Sequence, residues 1–339
     1  MKLLITGAAG FIGYHLVCNL VQREDIQVVG LDNINDYYDV RFKYDRLAAC
    51  GISKEDIKDQ EPCRSASFSN YVFYKADIAD NETLSRIFEE EQIDVVIHMA
   101  AQAGVRYSIE NPHAYVLSNL VGFANMLECC RHHKIKHLIY ASSSSVYGQN
   151  KHQPFREDDN VDYPVSFYAA TKKSNELMAH TYSHLYGLPT TGVRLFTVYG
   201  PWGRPDMAPM LFADSISEGK KIRVFNYGEM LRDFTYVEDI VKGIVLLLDH
   251  VPGEKEEHPY YRVYNIGHST PVKLMDFIQI MQEAMGKDAV LEMLPMQSGD
   301  VTITYADTTK LMQDTGYKPI TQLKDGIAQF VAWYKNYIM

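Results

Sequence analysis

Tyr168 and Lys172 are the two residues of this 339-residue chain whose types and spacing most directly permit chemistry. On a helix, residues four positions apart share one face, so the ammonium of Lys172 is expected beside the phenol of Tyr168. A nearby positive charge favours the phenolate and lowers a phenol pKa that is ordinarily about 10. The pair therefore predicts a general base that removes the proton of an alcohol.

A glycine turn near the start of the chain supplies a partner for this base. Gly7, Gly10 and Gly13 follow a buried-type strand and open a helix. This spacing allows a tight turn, close backbone approach to a pyrophosphate and close packing of helix on strand. Phe11 and Ile12 lie in the same turn and are assigned to the same site. A dinucleotide bound there can accept the hydride that alcohol oxidation releases.

The ends of the next two strands indicate which dinucleotide is bound. Asp32 ends the second strand, about 20 residues after the glycine turn, where a carboxylate accepts the ribose hydroxyls of NAD and repels the 2′-phosphate of NADP. Asn33 is assigned to the same half of the cofactor, and Asp77 and Ile78 follow the third strand, where the adenine is expected. NAD is therefore the predicted cofactor. The alternative is a nucleotide-free core with the same turn.

A run of serines extends the catalytic pair. The segment Ala141–Gly148 reads Ala-Ser-Ser-Ser-Ser-Val-Tyr-Gly and stands at the end of a predicted strand. A serine there can hydrogen-bond the reacting hydroxyl while the tyrosine takes its proton and the nicotinamide takes the hydride. Clustered serines more commonly form turns or helix caps. Four in a row at the carboxyl end of a strand favour a site.

Short apolar runs alternate with amphipathic helical segments over the first 200 residues. The runs are Lys2–Thr6, Gln27–Leu31, Tyr71–Ala76, Asp94–Met99, His137–Ala141 and Thr191–Phe196, and the helical segments are Phe11–Gln22, Glu82–Glu90, Pro112–His133 and Phe167–Tyr186. This alternation predicts an α/β fold, a Rossmann-type doubly wound parallel sheet with helices on both faces. Residues 1–200 form the predicted NAD-binding domain. Residues 201–339 are predicted to form mainly a smaller C-terminal substrate-binding lobe, with a strand near 263–267 returning to the sheet.

Composition narrows the class of protein further. The formal net charge is −10 and no Lys/Arg-dense segment offsets it, so no nucleic-acid partner is expected. No apolar run reaches the 18 or more residues of a membrane span, and the first strand begins too early for a signal peptide. Five cysteines without CxxC spacing, and histidines without ligand spacing, predict a reducing compartment and no metal site. The sequence thus predicts a cytoplasmic protein.

With these residues in place, the chain resembles the extended short-chain dehydrogenases/reductases that act on nucleotide sugars, and specifically the UDP-glucuronate 4-epimerases. The resemblance covers nearly the whole length and is carried by Thr6–Gly13, Leu31–Asp39, His98–Tyr107, the serine run, the Tyr168/Lys172 pair, Arg194–Pro205 and Leu231–Asp239. It implies NAD-dependent C4 epimerisation of UDP-glucuronate to UDP-galacturonate through a transient 4-keto sugar. Tyr168 then takes the proton of the sugar O4, Ser143 assists, and Lys172 also binds the nicotinamide ribose.

The resemblance implies further contacts at both ends of the site. Ala100, Ala101 and Gln102 join the cofactor residues. On the substrate side, the implied contacts are Ser144, Ser145, Thr197 and Arg204 for the sugar carboxylate, Arg106 and Arg232 for the diphosphate, Asn119 for the sugar side and Asn226 for the uridine. A grip on the carboxylate matters because a 4-keto uronic acid is a β-keto acid that is prone to lose CO₂. The segments Pro112–His133 and Phe167–Tyr186 are implied to pair two subunits in a homodimer.

Some alternatives stay open on sequence alone. Related dehydratases and decarboxylases resemble Thr-Asp-Glu-Val-Tyr-Gly and Thr-Ser-Glu-Val-Tyr-Gly at the serine run, whereas Ser144 and Ser145 supply no carboxylate. A UDP-glucose or UDP-N-acetylglucosamine 4-epimerase, and a non-catalytic NAD-binding sensor, remain as other functions. Arg204 fits a surface turn as well as a carboxylate grip. The role of the segment Ser298–Asp300 is left open.

Overall fold

The computed structural model describes residues 1–255, 257–296 and 302–339. The segment Ser298–Asp300, whose role the sequence leaves open, lies outside these ranges. Within them, no helix combines the length and the apolar character that a membrane crossing requires.

Most of the strands belong to one central sheet. In chain order they are β1 (Lys2–Thr6), β2 (Gln27–Asp32), β3 (Pro62–Arg64), β4 (Tyr71–Lys75), β5 (Val95–His98), β6 (His137–Ser143), β7 (Thr190–Leu195), β8 (Thr197–Tyr199), β9 (Lys221–Val224), β10 (Leu231–Arg232), β11 (Phe234–Tyr236), β12 (Tyr261–Ile266), β13 (Val272–Lys273), β14 (Val290–Met293) and β15 (Ile303–Thr304). The central sheet has eight strands in the order β12-β7-β6-β5-β1-β2-β4-β3. Neighbouring strands are parallel except the edge strand β3, which runs antiparallel to β4. The sequence did not predict β3.

Some of the helices cover the two faces of this sheet and others pack around a core of their own. They are α1 (Phe11–Leu20), α2 (Arg41–Ala49), α3 (Asn81–Glu91), α4 (Tyr107–Glu110), α5 (Pro112–Tyr115), α6 (Gly122–His132), α7 (Phe167–Tyr186), α8 (Ala208–Glu218), α9 (Val237–Leu246), α10 (Leu274–Met285), α11 (Thr309–Thr315) and α12 (Leu323–Tyr337). A π-helical turn over Val116–Val121 joins α5 to α6 without a break. The predicted helix Pro112–His133 is therefore continuous to His132 but is not α-helical throughout.

Strand β1 shows why the strands read as unbroken apolar runs. Leu3 and Ile5 are fully buried in the core formed with α1 and α9, whereas Leu4 is fully buried in the core formed with α3 and α6. A strand with helices on both sides needs apolar residues at every position, because neither of its faces meets water. The predicted α/β class with a doubly wound parallel sheet is confirmed.

The cores on the two faces of the sheet are taken together here as the sheet core. A second core lies among α8, α10 and α12. Phe212, Phe277 and Phe330 are buried in it, together with Phe42 from α2. Helices α9 and α11 and strand β12 belong instead to the central sheet and its core, so the chain passes between the two cores more than once. The division into an NAD-binding domain and a substrate-binding lobe near residue 200 stays a prediction.

Helix α7 has the bounds that the sequence predicts. It begins after Ser166, whose hydroxyl accepts a hydrogen bond from the Ala169 amide at 3.1 Å, and it ends at Gly187 with φ +63°. A side-chain cap at the start and a left-handed glycine at the end satisfy backbone groups that a helix terminus leaves open. These signals place Tyr168 and Lys172 in the first two turns of α7.

Candidate active site

A cavity of about 1100 Å³ opens at the carboxyl ends of the parallel strands, beneath the second core. Ligands of open α/β sheets bind at this edge. Among the predicted site residues, all but Asp77, Asn119 and Asn226 line the cavity. The fold therefore gathers the catalytic, cofactor and carboxylate-gripping candidates in one space.

The glycine turn has the shape that a bound pyrophosphate requires. Gly7 has φ +71°, and its carbonyl accepts a hydrogen bond from the Gly10 amide at 2.9 Å. A Cβ atom at Gly13 would lie 2.0 Å from the Gly7 oxygen, and one at Gly7 would lie 2.9 Å from the Ala100 nitrogen. Helix α1 thus packs tightly on the turn and directs its N-terminal amides at the cavity. The turn fits the diphosphate of a dinucleotide.

Asp32 is held in a fixed position at the end of β2, as expected for a carboxylate that accepts hydrogen bonds from the ribose hydroxyls of NAD. Its carboxylate accepts hydrogen bonds from the amides of Ala9, at 3.2 Å, and Ile34, at 2.8 Å. The Nζ atom of Lys43 lies 3.7 Å from Asp32 Oδ1, and Lys43 also lines the cavity. Sequence reasoning missed this buried lysine, because its position in α2 belongs to no motif.

Asn33 lines the cavity, and Asp77 holds it from behind. Asn33 Nδ2 donates to Asp77 Oδ2 at 2.9 Å, and Asp77 also accepts from the Ala79 amide at 2.8 Å. Asp77 therefore supports the adenosine end through Asn33, while its direct contact with the adenine stays a prediction.

Lys172 is buried at the base of the cavity. Its Nζ atom donates to the Ala141 carbonyl oxygen at 2.9 Å. Burial lowers the pKa of the ammonium to about 8, because a charged group loses hydration in the interior. The lysine thus titrates much closer to neutrality than an exposed lysine does.

Tyr168 departs from the expectation that its spacing from Lys172 gives. Burial raises the pKa of the phenol, and this outweighs the hydrogen bond with Ser143 and the charge of Arg204, which both lower it. The net direction is upward, opposite to the prediction, and the cation that acts on the phenol is Arg204. The i, i+4 spacing places both groups in the cavity, but the contacts that tune them come from other segments.

Ser143 serves both as a turn cap and as a site residue, the two roles that the sequence analysis treated as alternatives. Its hydroxyl accepts from the Ser145 amide at 3.1 Å and so caps the 3₁₀ turn over Ser144–Tyr147, while its contact with Tyr168 faces the cavity. Ser144, Ser145 and Thr197 line the cavity as well. The serine run is therefore a cap whose residues also line the site.

A buried ion pair fixes the end of strand β6, which carries Ser142 and Ser143, against helix α7. Glu176 of α7 accepts hydrogen bonds from Arg194 of β7 at 2.8 and 2.9 Å and from the Ser142 hydroxyl at 2.6 Å. Arg194 also donates to the Tyr147 hydroxyl at 3.0 Å. This network holds the end of β6 and α7 in one arrangement, so Ser143 and Tyr168 keep their relative positions. The sequence analysis assigned no role to Glu176.

Arg204 lies in the wall of the cavity, with its side chain 20% exposed, and not in a solvated turn. Its Nε donates to Asp206 Oδ1 at 3.0 Å, and its Nη2 donates to Asp206 Oδ2 at 2.5 Å. Burial alone lowers the pKa of the guanidinium, but the Asp206 charge and hydrogen bonds outweigh this and raise it. Arg204 is therefore a fixed cation facing the site.

The remaining predicted substrate residues differ in where they lie. Arg106 lines the cavity with its guanidinium 5.3 Å from the centre of the Phe225 ring, and Arg232 lines it while donating to the Leu231 carbonyl at 3.0 Å. Asn226 lies outside the lining, and its Nδ2 donates to the Glu229 carbonyl at 2.8 Å. Their contacts with a diphosphate or a uridine stay predictions.

Asn119 is buried in the π turn, behind the wall of the cavity. Its Oδ1 accepts from the Gln102 amide at 2.8 Å, and its Nδ2 donates to the Gln102 carbonyl and the Thr171 hydroxyl, each at 3.0 Å. These bonds occupy the amide, so the geometry favours a role in holding Gln102 and α7. The predicted contact of Asn119 with the sugar is not supported by this position and stays a prediction.

The fold and the cavity define a class of protein: enzymes that hold a dinucleotide on a glycine turn and use a tyrosine–lysine–serine set on an alcohol carbon. Residues 3–267 match the model of the NAD dependent epimerase/dehydratase family. The chain belongs to this family, and its cofactor is NAD.

Individual relatives give the comparison more detail. Protein CapI of Staphylococcus aureus is 50% identical, over 99% of each chain. UDP-glucuronate 4-epimerase 4 of Arabidopsis thaliana is 44% identical, over 99% of this chain and 76% of the relative. A crystal structure of UDP-glucuronic acid 4-epimerase from Bacillus cereus, in complex with UDP-glucuronic acid and NAD, superposes with a TM-score of 0.87 at 33% identity and covers 99% of each chain.

Proposed function

We propose that this protein catalyses the NAD-dependent C4 epimerisation of UDP-glucuronate to UDP-galacturonate through a transient 4-keto sugar. One observation carries the proposal: the Tyr168, Lys172 and Ser143 set shares its cavity with the glycine turn and with the fixed cation Arg204. The similarity to UDP-glucuronate 4-epimerases over nearly the whole chain supports the same substrate.

The residues at the base of the cavity divide the acid–base work. NAD held by the glycine turn and Asp32 would supply a reversible acceptor for the hydride of the sugar C4. Tyr168 accepts the O4 proton in the oxidation and gives it back in the reduction, and Ser143 holds the O4 hydroxyl in line. Lys172 is assigned to the nicotinamide ribose, and the charge that favours the phenolate comes from Arg204. Because the hydride and the proton both return, the reaction is an isomerisation without net oxidation.

The sugar end must keep the intermediate intact. Loss of CO₂ from the 4-keto sugar breaks the bond between C5 and the carboxylate carbon and leaves an electron pair on the resulting enolate. Ser144, Ser145 and Thr197 bring hydroxyl groups to the cavity, and Arg204 adds a guanidinium whose shape suits a planar carboxylate. Hydrogen bonds from these groups hold the breaking bond out of line with the carbonyl π system.

A turnover assay on separate sugar nucleotides tests the proposal. The purified protein is incubated with UDP-glucuronate, UDP-glucose and UDP-N-acetylglucosamine, and the products are resolved by chromatography. The proposed function requires UDP-galacturonate from the first and slower turnover of the two neutral sugars. Equal or faster turnover of a neutral sugar would identify a different epimerase, and no product from any of them would favour a non-catalytic sensor of NAD.

A homodimer is part of the proposal, and exposed apolar side chains support it. Val116, Leu117 and Val121 on the π turn, and Leu177 and Leu185 on α7, are 37–60% exposed. Exposed apolar groups of this kind mark interaction surfaces. Phe123 and Leu127, also within the segment Pro112–His133, are buried in the core and so do not belong to this exposed surface.

The proposal also covers the location and the wider role of the protein. Cys18, Cys50, Cys63, Cys129 and Cys130 are all free thiols, which supports a reducing compartment such as the cytoplasm. UDP-galacturonate is a precursor suited to polysaccharide synthesis, which is the role that we propose for the product.

A further inference from the structure

Three side chains form a bridge across the mouth of the cavity. Tyr37 comes from the loop that follows β2, and Arg204 and Asp206 come from the loop that follows β8. The Tyr37 hydroxyl donates to Asp206 Oδ2 at 3.0 Å, and Asp206 receives the two hydrogen bonds from Arg204. The guanidinium carbon also lies 5.7 Å from the centre of the Tyr37 ring. All three residues line the cavity. We call this set the Tyr37–Asp206–Arg204 bridge.

The bridge fixes the orientation of the arginine. Asp206 engages Nε and Nη2, which define one edge of the planar guanidinium. The other edge of the guanidinium is formed by Nη1 and Nη2, and a carboxylate matches such an edge in a bidentate pair. An arginine without such an anchor has several rotatable bonds and holds no single orientation.

Tyr37 itself is held by packing against the loop after β5. A Cβ atom on Gly104 would lie 2.6 Å from the Tyr37 hydroxyl oxygen, so this approach depends on a glycine with φ +106°. The Tyr37 ring also lies 4.9 Å from the Tyr107 ring, centre to centre. The loop that carries Tyr37 begins next to Asp32. The position of the bridge therefore depends in part on the segment at the cofactor end of the cavity.

We propose that Tyr37 and Asp206 are specificity-determining positioning residues, which fix the guanidinium plane of Arg204 so that its Nη1/Nη2 edge is aimed at the carboxylate of the sugar. The inference rests on the proposed function and deepens it. Neither residue donates to or accepts from the reacting atoms. Both act through Arg204, and their removal affects uronic acids far more than neutral sugars.

The test uses two conservative variants, Asp206→Asn and Tyr37→Phe. For each, kcat and KM are measured on UDP-glucuronate and on UDP-glucose, and the decarboxylated pentose product is quantified. With Asp206→Asn we expect kcat on UDP-glucuronate to fall about 10-fold, since a charge-assisted anchor is lost, with more pentose and unchanged turnover of UDP-glucose. Tyr37→Phe is expected to show the same pattern at a smaller size. Melting temperatures confirm that the variants are folded.

Two controls separate positioning from other effects. Asp39→Asn breaks an exposed pair in the same loop, in which Arg41 lies 2.7 Å from Asp39, and it should change none of these values. In an Arg204→Ala background, Asp206→Asn should cause no further loss, because a residue that acts through Arg204 has nothing left to position.

The outcomes distinguish the possible failures. Equal losses on both sugars, or a further loss in the Arg204→Ala background, would show a general structural role and overturn the inference. A lower KM for UDP-glucuronate with undiminished kcat would show that Asp206 competes with the substrate, which also overturns it. If the unmodified protein does not turn over UDP-glucuronate, the proposed function fails first and the inference with it.

Discussion

The two ends of the cavity are built in different ways. At the cofactor end, the glycine turn and Asp32 lie within the first 32 residues and act through backbone geometry and one carboxylate. At the sugar end, Tyr37 and Asp206 meet although 169 positions separate them, and the predicted contacts are side chains that come from several distant segments. Cofactor recognition is thus tied to the fold itself, whereas substrate recognition depends on replaceable side chains. This difference lets one scaffold keep its cofactor while its substrate changes.

The largest expected effect falls on the chemistry that both ends share. Tyr168→Phe removes the proton acceptor, so we expect kcat on UDP-glucuronate to fall about 10²–10⁴-fold. Bound NAD, measured after release from the purified variant, should be unchanged. A variant that inverted the sugar centre at the parent rate would refute the assignment of the base.

At the cofactor end, a single methyl group should be enough to disrupt binding. Gly13→Ala places a Cβ atom 2.0 Å from the Gly7 oxygen, so α1 must move away from the turn. We expect a loss of about 1–3 kcal/mol in the free energy of unfolding and weaker NAD retention. Gly253→Ala is the matched control, since a Cβ atom there meets no neighbour within 4 Å. Equal effects at both glycines would contradict the tight-turn account.

At the sugar end, the effect should depend on the substrate. Arg204→Ala is expected to lower kcat/KM on UDP-glucuronate about 10–100-fold more than on UDP-glucose, because both sugars lose the charge that acts on Tyr168 but only the uronate loses a partner for its carboxylate. The comparison of the two sugars in one variant cancels any general damage to the site. Equal losses on both would remove the carboxylate role of Arg204.

The smallest expected effect is a pH dependence set by burial. The pKa of Lys172 is lowered to about 8, so the ammonium loses its charge as the pH rises through that value, and its charged hold on the nicotinamide ribose declines with it. We expect kcat/KM to be about fourfold lower at pH 8.5 than at its plateau below about pH 7. In Lys172→Arg the decline should move to higher pH, whatever its absolute rate. A decline that stays in place would assign it to another group.

The same lysine links pH to stability in the opposite direction. Its pKa is lower in the folded protein than in the unfolded chain, so the unfolded state binds more protons between about pH 8 and pH 10.5. The free energy of unfolding therefore gains from this group as the pH rises through that window, and the gain is absent below it.

The sequence predicts the parts of the molecule that local rules determine. Helix α7 begins and ends where predicted, because Ser166 and Gly187 are cap residues with strong backbone preferences. The glycine turn and the strand ends follow equally from the immediate neighbourhood of each residue. The predicted direction of the shift in the Tyr168 pKa was wrong for the complementary reason. That shift depends on the depth of burial and on Arg204, and the spacing of two residues on one helix carries no information about either.

The sugar end shows what the sequence could not predict. The pairing of Arg204 with Asp206 and Tyr37 depends on how two distant loops approach each other, and Asn119 is buried against Gln102 within a π turn that no pattern signals. Resemblance to a family identified Arg204 but not the residues that hold it. Contacts of this kind need the folded chain.

The π turn over Val116–Val121 has a consequence for how this scaffold tolerates change in length. A π turn holds one residue more than a turn of α-helix, so it can absorb a single extra residue while the helix on either side keeps its facing. Deleting one residue here would therefore restore regular α-helical winding and leave Met126 and Cys130 of α6 in the interior. A change in chain length at this point falls on the residues of the turn itself, among them the buried Asn119.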